Sequence, residues 1–180
     1  MNKSLLSRRY ALALFEYADE KKEDKSLLQL LNVLVENWKE QPLLRNAMAD
    51  PLLPDKTKYL LLQLACGDKE NPVLNRFFSL LIHKRRGAFA GRIAKAYVAI
   101  WYKKHNILQG ELITVKEPTP HLAESLIQLL EKIIPGKKVR LKMKEDESIV
   151  GGFILQLDSL RIDASIAAEL RYLKNNLLKE

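Results

Sequence analysis

The chain has 180 residues, with 30 Lys and Arg against 22 Asp and Glu and a formal charge of +8. A hydrophobic fraction of 47% is too high for intrinsic disorder, and 7 Gly with 7 Pro exclude a collagenous or low-complexity chain. The single cysteine, Cys66, excludes a disulfide framework and a multi-cysteine metal site.

The opening MNKSLLSRRYALALFEYA is broken by Arg8, Arg9 and Glu16. It lacks the unbroken apolar core and small-residue cleavage site of a secretory signal. No apolar run approaches the roughly 18 residues of a membrane span. These features predict a soluble protein on the cytosolic side. From Ser4 to about Lys22 the spacing predicts a helix, with Leu6, Tyr10, Leu14 and Tyr17 in one row and Ala11, Phe15 and Ala18 in a second beside it. Ser26 to Glu40 repeats the helical period, and Pro42 stops it by removing a backbone donor.

Asp50-Pro51-Leu52-Leu53-Pro54 is a break, after which Pro54 and Asp55 suit the first turn of a helix running to about Cys66. Asn71-Pro72 reads as a helix cap followed by proline at the first helical position. The helix it opens, VLNRFFSLLIHKRR, ends in basic residues, as the helix dipole favours. Beyond Gly87 a long helix carries Phe89, Ile93, Tyr97 and Ile100 on one face. Six helical segments, one of them short, make a compact all-α bundle.

The second part changes period. Residues 1–105 hold 19 Lys and Arg against 11 Asp and Glu, whereas residues 106–180 hold 11 of each. A domain boundary between His105 and Gly110 follows, giving domains 1–105 and 106–180. Leu112 to Val115 is a short β-like run, and Thr119-Pro120 opens a helix through Leu122, Leu126, Leu129, Leu130 and Ile133 that Pro135-Gly136 closes. Val139, Leu141 and Met143 alternate with Arg140, Lys142 and Lys144, the pattern of a half-buried strand. Phe153 to Leu157 and Leu160 to Ile162 read as further strands, and a last helix places Ile166, Leu170, Leu173 and Leu177 on one face. The expected fold is therefore α+β, an N-terminal six-helix bundle followed by a small mixed α/β C-terminal domain.

Residues with catalytic chemistry do not converge. His83, His105 and His121 are scattered, none at metal-ligand spacing with a partner. Gly136-Lys137-Lys138 lacks the remaining positions of a phosphate-binding loop. Glu145-Asp146-Glu147 reads as a solvated turn between strands. Asp163 and Ser165 have no histidine near them in sequence, and one of the two as a helix cap is the better reading. No catalytic residue, cofactor or metal is expected. Lys84-Arg85-Arg86 with Arg92 and Lys95 is the densest basic cluster, so a nucleic-acid-binding helical module is the alternative function. Against nucleic acid, no turn pair resembles a recognition-helix unit, and aromatics do not interleave with the basic residues.

The apolar excess points to a protein partner. A bundle helix buries about a third of its circumference. The first helix and the Val73–Ile82 helix are apolar around more, the latter with Leu74, Phe77, Leu81 in one stripe and Val73, Phe78, Ile82 in another. Each alone fits a helix deep in the bundle; two together favour a groove for a partner helix.

Four stretches then carry a family resemblance in order along nearly the whole chain. They are Ser7-Arg8-Arg9-Tyr10-Ala11-Leu12-Ala13-Leu14-Phe15, the Asp50-Pro51 break followed by Lys56, Asn75-Arg76-Phe77-Phe78-Ser79-Leu80-Leu81, and Asp146-Glu147-Ser148-Ile149-Val150-Gly151-Gly152-Phe153 continuing to Ile162-Asp163-Ala164-Ser165. The sequence resembles the delta subunits of bacterial F-type ATP synthases, whose mitochondrial counterpart is the oligomycin-sensitivity-conferring protein. It departs from that pattern at Glu147, where the family has Pro, and at Asp158 and Ala164, where it has Gly.

The resemblance implies a subunit with no reaction of its own. Its N-terminal bundle would grip the amphipathic N-terminal helix of an alpha subunit in a groove of the first and fifth helices, with Tyr10, Leu14, Phe15, Val73, Phe77 and Leu81 as the expected contacts. Its C-terminal domain would join the b subunits of the peripheral stalk, so that proton-driven rotation yields ATP. Gly151 and Gly152 are expected to serve backbone geometry, with Asp163 and Ser165 part of the same structural motif. The implied location is the cytoplasmic face of a bacterial inner membrane, held there through the complex and not by lipid.

Overall fold

A computed structural model describes residues 3–68, 70–116, 118–157 and 160–177. Asp158 lies outside the described residues, as do the side chains of Leu122 and Leu177. The chain divides into two compact units, Met1–Trp101 and Tyr102–Glu180.

The helices of the first part are α1 (Lys3–Glu20), α2 (Asp24–Glu40), α3 (Pro42–Ala49), α4 (Asp55–Ala65), α5 (Pro72–His83) and α6 (Ala90–Lys104), with one 3-10 turn at Gly87–Phe89. Their starts follow local chemistry. Pro42 and Pro72 occupy first-turn positions, where a missing N–H costs nothing. Asn71 caps α5 by accepting from the Leu74 N–H at 2.9 Å. The same side chain donates to Glu23 Oε2 at 2.6 Å, tying the start of α5 to the turn before α2.

Side chains excluded from solvent make the bundle core: Ala11 and Ala18 from α1, and the larger Leu27, Leu31, Leu34, Leu62, Leu74, Phe78, Leu81, Ile93 and Tyr97 from α2, α4, α5 and α6. Each of the larger burials stabilises by about 1.5–3 kcal/mol. From α1, Phe15 reaches into this core and lies 5.9 Å from the Tyr97 ring, tilted against it. The polar ends are satisfied at one residue: Tyr97 donates to the Asp24 carbonyl at 3.2 Å, and the Trp101 indole donates to Asp24 Oδ2 at 2.8 Å. Burial first, then the carboxylates of Asp24 and Asp19, raise the Tyr97 phenol above its ordinary value, so it remains a donor.

The second unit contains β1 (Ile107–Thr114), α7 (Pro120–Ile133), β2 (Lys138–Glu145), a 3-10 turn at Glu147–Ile149, β3 (Gly152–Leu157), β4 (Leu160–Ser165) and α8 (Ile166–Leu177). The strands form one sheet in the order β2-β1-β3-β4. β1 runs parallel to β2 and antiparallel to β3. A parallel pair requires a crossover, which α7 supplies. Leu130 of α7 packs with Leu112, Val139, Leu155 and Leu157 from three strands, flanked by Leu126, Ile127, Leu141, Met143 and Phe153.

The architecture is thus α+β, an all-α bundle followed by a mixed α/β unit, as the sequence predicts. β1 begins well before Leu112, where its apolar run begins. Gln109, Gly110 and Glu111 have weak strand preference, but β1 is central and hydrogen-bonded on both sides, and that pairing overrides local propensity.

The β3–β4 pair fixes a backbone requirement. Gly152 has φ +74, and a Cβ there would collide with the Ala164 carbonyl oxygen. Gly152→Ala should therefore destabilise the second unit by about 1 kcal/mol or more. Gly136→Ala, where φ is +83 but a Cβ would meet nothing within 4 Å, should cost less. Thermal melts of the two variants check the order.

Candidate partner-binding site

Between α1 and α5 the bundle leaves an open groove of about 690 Å³. From α1 come Leu5, Leu6, Arg9, Tyr10, Ala13, Leu14 and Tyr17; from α5 and the turn after it come Val73, Arg76, Phe77, Leu80 and Arg86. Both sets follow helical spacing. Leu6, Tyr10, Leu14 and Tyr17 form one row on α1, and Val73, Phe77 and Leu80 form one row on α5.

Of the six residues expected at a partner helix, the structure brings four together here: Tyr10, Leu14, Val73 and Phe77. Phe15 and Leu81 do not line the groove. Phe15 stands one residue, hence about 100°, around α1 from Leu14 and shares the inner row with Ala11 and Ala18. Leu81 belongs with Leu74 and Phe78, the stripe that α5 turns into the core, and is fully buried. The groove has a floor and a rim. Leu14, Val73 and Phe77 are only 3%, 4% and 8% exposed, whereas Leu5 and Leu80 at the margins are 59% and 45% exposed.

Sequence reasoning missed the margin. Leu5 and Leu80 lie beside the rows that periodicity picks out. Arg9 and Arg76 enter the sequence reading within the stretches that carry the family resemblance and Arg86 as part of the basic cluster, none as a groove contact. In the structure Arg76 Nη1 donates to the Tyr17 hydroxyl at 2.9 Å. Arg86 Nη1 donates to the Tyr10 hydroxyl, with its guanidinium 5.2 Å from the centre of the same ring. One member of the basic cluster noted in the sequence is thereby folded back onto α1. A shallower hollow of about 460 Å³ lies between α4 and α5, lined by residues that include Asp55, Tyr59, Ser79 and His83.

In the second unit, Asp163 and Ser165 form a cap. Ser165 Oγ donates to Asp163 Oδ1 at 2.6 Å and accepts from the Ala168 N–H at 3.2 Å, closing the first turn of α8. These bonds occupy the hydroxyl. The Ser165 hydroxyl, then its N–H and the Arg161 guanidinium, hold the Asp163 carboxyl below the usual carboxylate range. Gly151 makes room for the Ile166 side chain, whose Cδ1 would lie 2.5 Å from an added Cβ, and Gly152 lets its backbone approach that of Ala164 closely.

Burial pushes the Cys66 thiol up to about 12, which keeps it protonated and unreactive at neutral pH. Among the described residues no group of three or more His, Cys, Asp or Glu is placed to hold a metal ion, and no helix is long and apolar enough to cross a membrane.

Comparison with known proteins agrees along nearly the whole chain. The family model described as ATP synthase delta (OSCP) subunit matches residues 6–177. ATP synthase subunit delta of Phocaeicola vulgatus is 32% identical over 178 residues, covering 97% of this chain and 94% of that protein. ATP synthase subunit delta, sodium ion specific, of Propionigenium modestum is 32% identical over 170 residues, covering 94% of this chain and 97% of the relative. Among solved structures, a chain in the cryo-EM structure of the Toxoplasma gondii mitochondrial ATP synthase hexamer shares the fold with a TM-score of 0.70 at 23% identity, covering 96% of this chain and 97% of that one.

Two outcomes follow from the placement. Leu81→Ala should cost about 2–5 kcal/mol of stability, because a cavity opens in the core, whereas Leu80→Ala should cost less than about 1 kcal/mol. Urea denaturation of the two variants checks the contrast. Because the folded-state value of Asp163 is lowered, its contribution is present above the ordinary carboxylate range and is lost as pH falls through the lowered value. Asp163→Asn should therefore flatten the acid limb of the stability curve below about pH 4, read by denaturation across that range.

Proposed function

Because the chain belongs to the ATP synthase delta (OSCP) subunit family, we propose that it ties the catalytic head of an F-type ATP synthase to the peripheral stalk. It is a component of that membrane-associated complex and not one of its catalytic chains. On this reading, the groove between α1 and α5 receives the amphipathic N-terminal helix of an alpha subunit. The second unit joins the b subunits of the stalk. The tie keeps the head from turning with the rotor, so that rotation driven by ion flux is converted into ATP synthesis. Attachment to the inner face of the energised membrane is then indirect, through the complex.

The observation that carries the reading is the groove itself, a preformed concavity with a continuous apolar floor and half-exposed Leu5 and Leu80 at its edge. A helix laid into such a groove buries its apolar stripe against both walls. For the second unit, α8 presents Ile166, Leu170 and Leu173 at helical spacing, 45%, 55% and 50% exposed, a stripe suited to packing against another helix.

Titration with a synthetic peptide of the alpha-subunit N-terminus, followed by calorimetry, tests the head contact. Binding should show the negative heat-capacity change of apolar burial. Leu80→Asp sets a charge at the rim of the groove while leaving the core intact, and should abolish binding with the melting temperature nearly unchanged. Undiminished affinity in that folded variant would remove the groove from the reading.

A further inference from the structure

The groove is apolar along its floor and strongly one-signed along its margin. Arg9, Arg76 and Arg86 stand among the lining residues, and no Asp or Glu does. Among the described residues none of the three has a carboxylate within ion-pair distance. Arg76 and Arg86 are held by phenols, Tyr17 and Tyr10, which fix the guanidinium without neutralising it. A guanidinium carries five N–H donors in a planar fork, and one hydrogen bond to a hydroxyl leaves most of that fork open. Because the tyrosines already restrain them, these side chains lose less freedom when a further acceptor arrives.

The two arginine–tyrosine pairs also have a spacing. Tyr10 and Tyr17 are seven residues apart on α1, which is two helical turns and roughly 10 Å along the axis. We propose that the groove selects a helix bearing two carboxylates about two turns apart beside its apolar stripe, with Arg76 taking one and Arg86 the other. The proposal rests on the groove being the seat of a partner helix and adds which helix fits. Apolar contact governs how long the partner stays. The arginines govern register and orientation, and they reject a helix with cations at those places.

The test uses the full chain and three labelled twenty-residue peptides sharing one apolar stripe. They differ only at two flanking positions seven residues apart, which are Glu in the first peptide, Gln in the second and Lys in the third. Fluorescence anisotropy is read at low and high salt. The Glu peptide should bind about tenfold more tightly than the Gln peptide at low salt and the Lys peptide most weakly, with the differences shrinking at high salt. The double variant Arg76→Gln, Arg86→Gln should lose the preference for Glu while retaining its affinity for the Gln peptide.

Equal binding of the Glu and Gln peptides by the unaltered chain would overturn the carboxylate selection while leaving the groove as a helix seat. That comparison needs no variant, so it stands even where the double variant fails to fold. If Leu80→Asp leaves binding of the Glu peptide unchanged, the seat itself is wrong and the proposal falls with it. Equally tight binding of a Glu-rich peptide without an apolar stripe would show a general polyanion site and overturn the selection as well.

Discussion

Everything in the first unit depends on how α5 divides its circumference. Its twelve residues include six buried apolar side chains, more than one stripe can hold. The inner stripe, Leu74, Phe78 and Leu81, is locked against the bundle core, and that lock fixes the rotation of the helix about its axis. Once the rotation is fixed, Val73, Phe77 and Leu80 must face the gap beside α1. The groove is therefore a consequence of core packing and not a separate feature placed upon it. α1 obeys the same logic. Ala11, Phe15 and Ala18 go inward, and Tyr10, Leu14 and Tyr17 turn to the gap.

The second unit solves a different problem by different means. A parallel pair at its centre demands the α7 crossover, and the apolar side of the sheet is closed by that one helix. The tight junction where β3 begins beside the end of β4, and β4 runs into α8, depends on Gly152, whose backbone must come close to Ala164, and on the Asp163–Ser165 cap. The sequence elements that look like chemistry are thus spent on geometry: a hydroxyl and a carboxylate that resemble a catalytic pair in one dimension start a helix in three.

How far the sequence can be read varies with the kind of signal. Helix starts were legible where proline or a capping side chain marks them, as at Asn71-Pro72 and Thr119-Pro120, because the cause is local. The groove was legible as an excess of apolar surface on α1 and α5, but its membership was not fully so. Phe15 and Leu81 satisfy the same periodicity as the lining residues, and only the rotation imposed by the core decides which way they turn. The early part of β1 was hidden because Gln109, Gly110 and Glu111 become strand through pairing with distant segments. The arginines at the margin were hidden for a third reason: periodicity weighs apolar residues, and a charge acquires meaning only when its neighbours are known.

On the proposed reading, the division into floor and margin bears on stiffness, which a tie under load would need more than raw affinity. Leu14, Val73 and Phe77 are nearly buried before any partner arrives, so their rotamers are set by packing from behind. Forming a complex on such a floor freezes few side chains on this side of the interface, and most of the remaining ordering falls on the incoming helix. Only the edge, Leu5, Leu80 and the tyrosine-held arginines, has freedom left to lose. If a partner helix seats here, it should release slowly, because the contacts on this side are already near their final geometry and cannot loosen one at a time without opening the core. On the proposed reading, the same core that fixes the rotation of α5 would set how rigidly force passes through the groove, which would make the stability of the bundle and the mechanical quality of the tie one physical property.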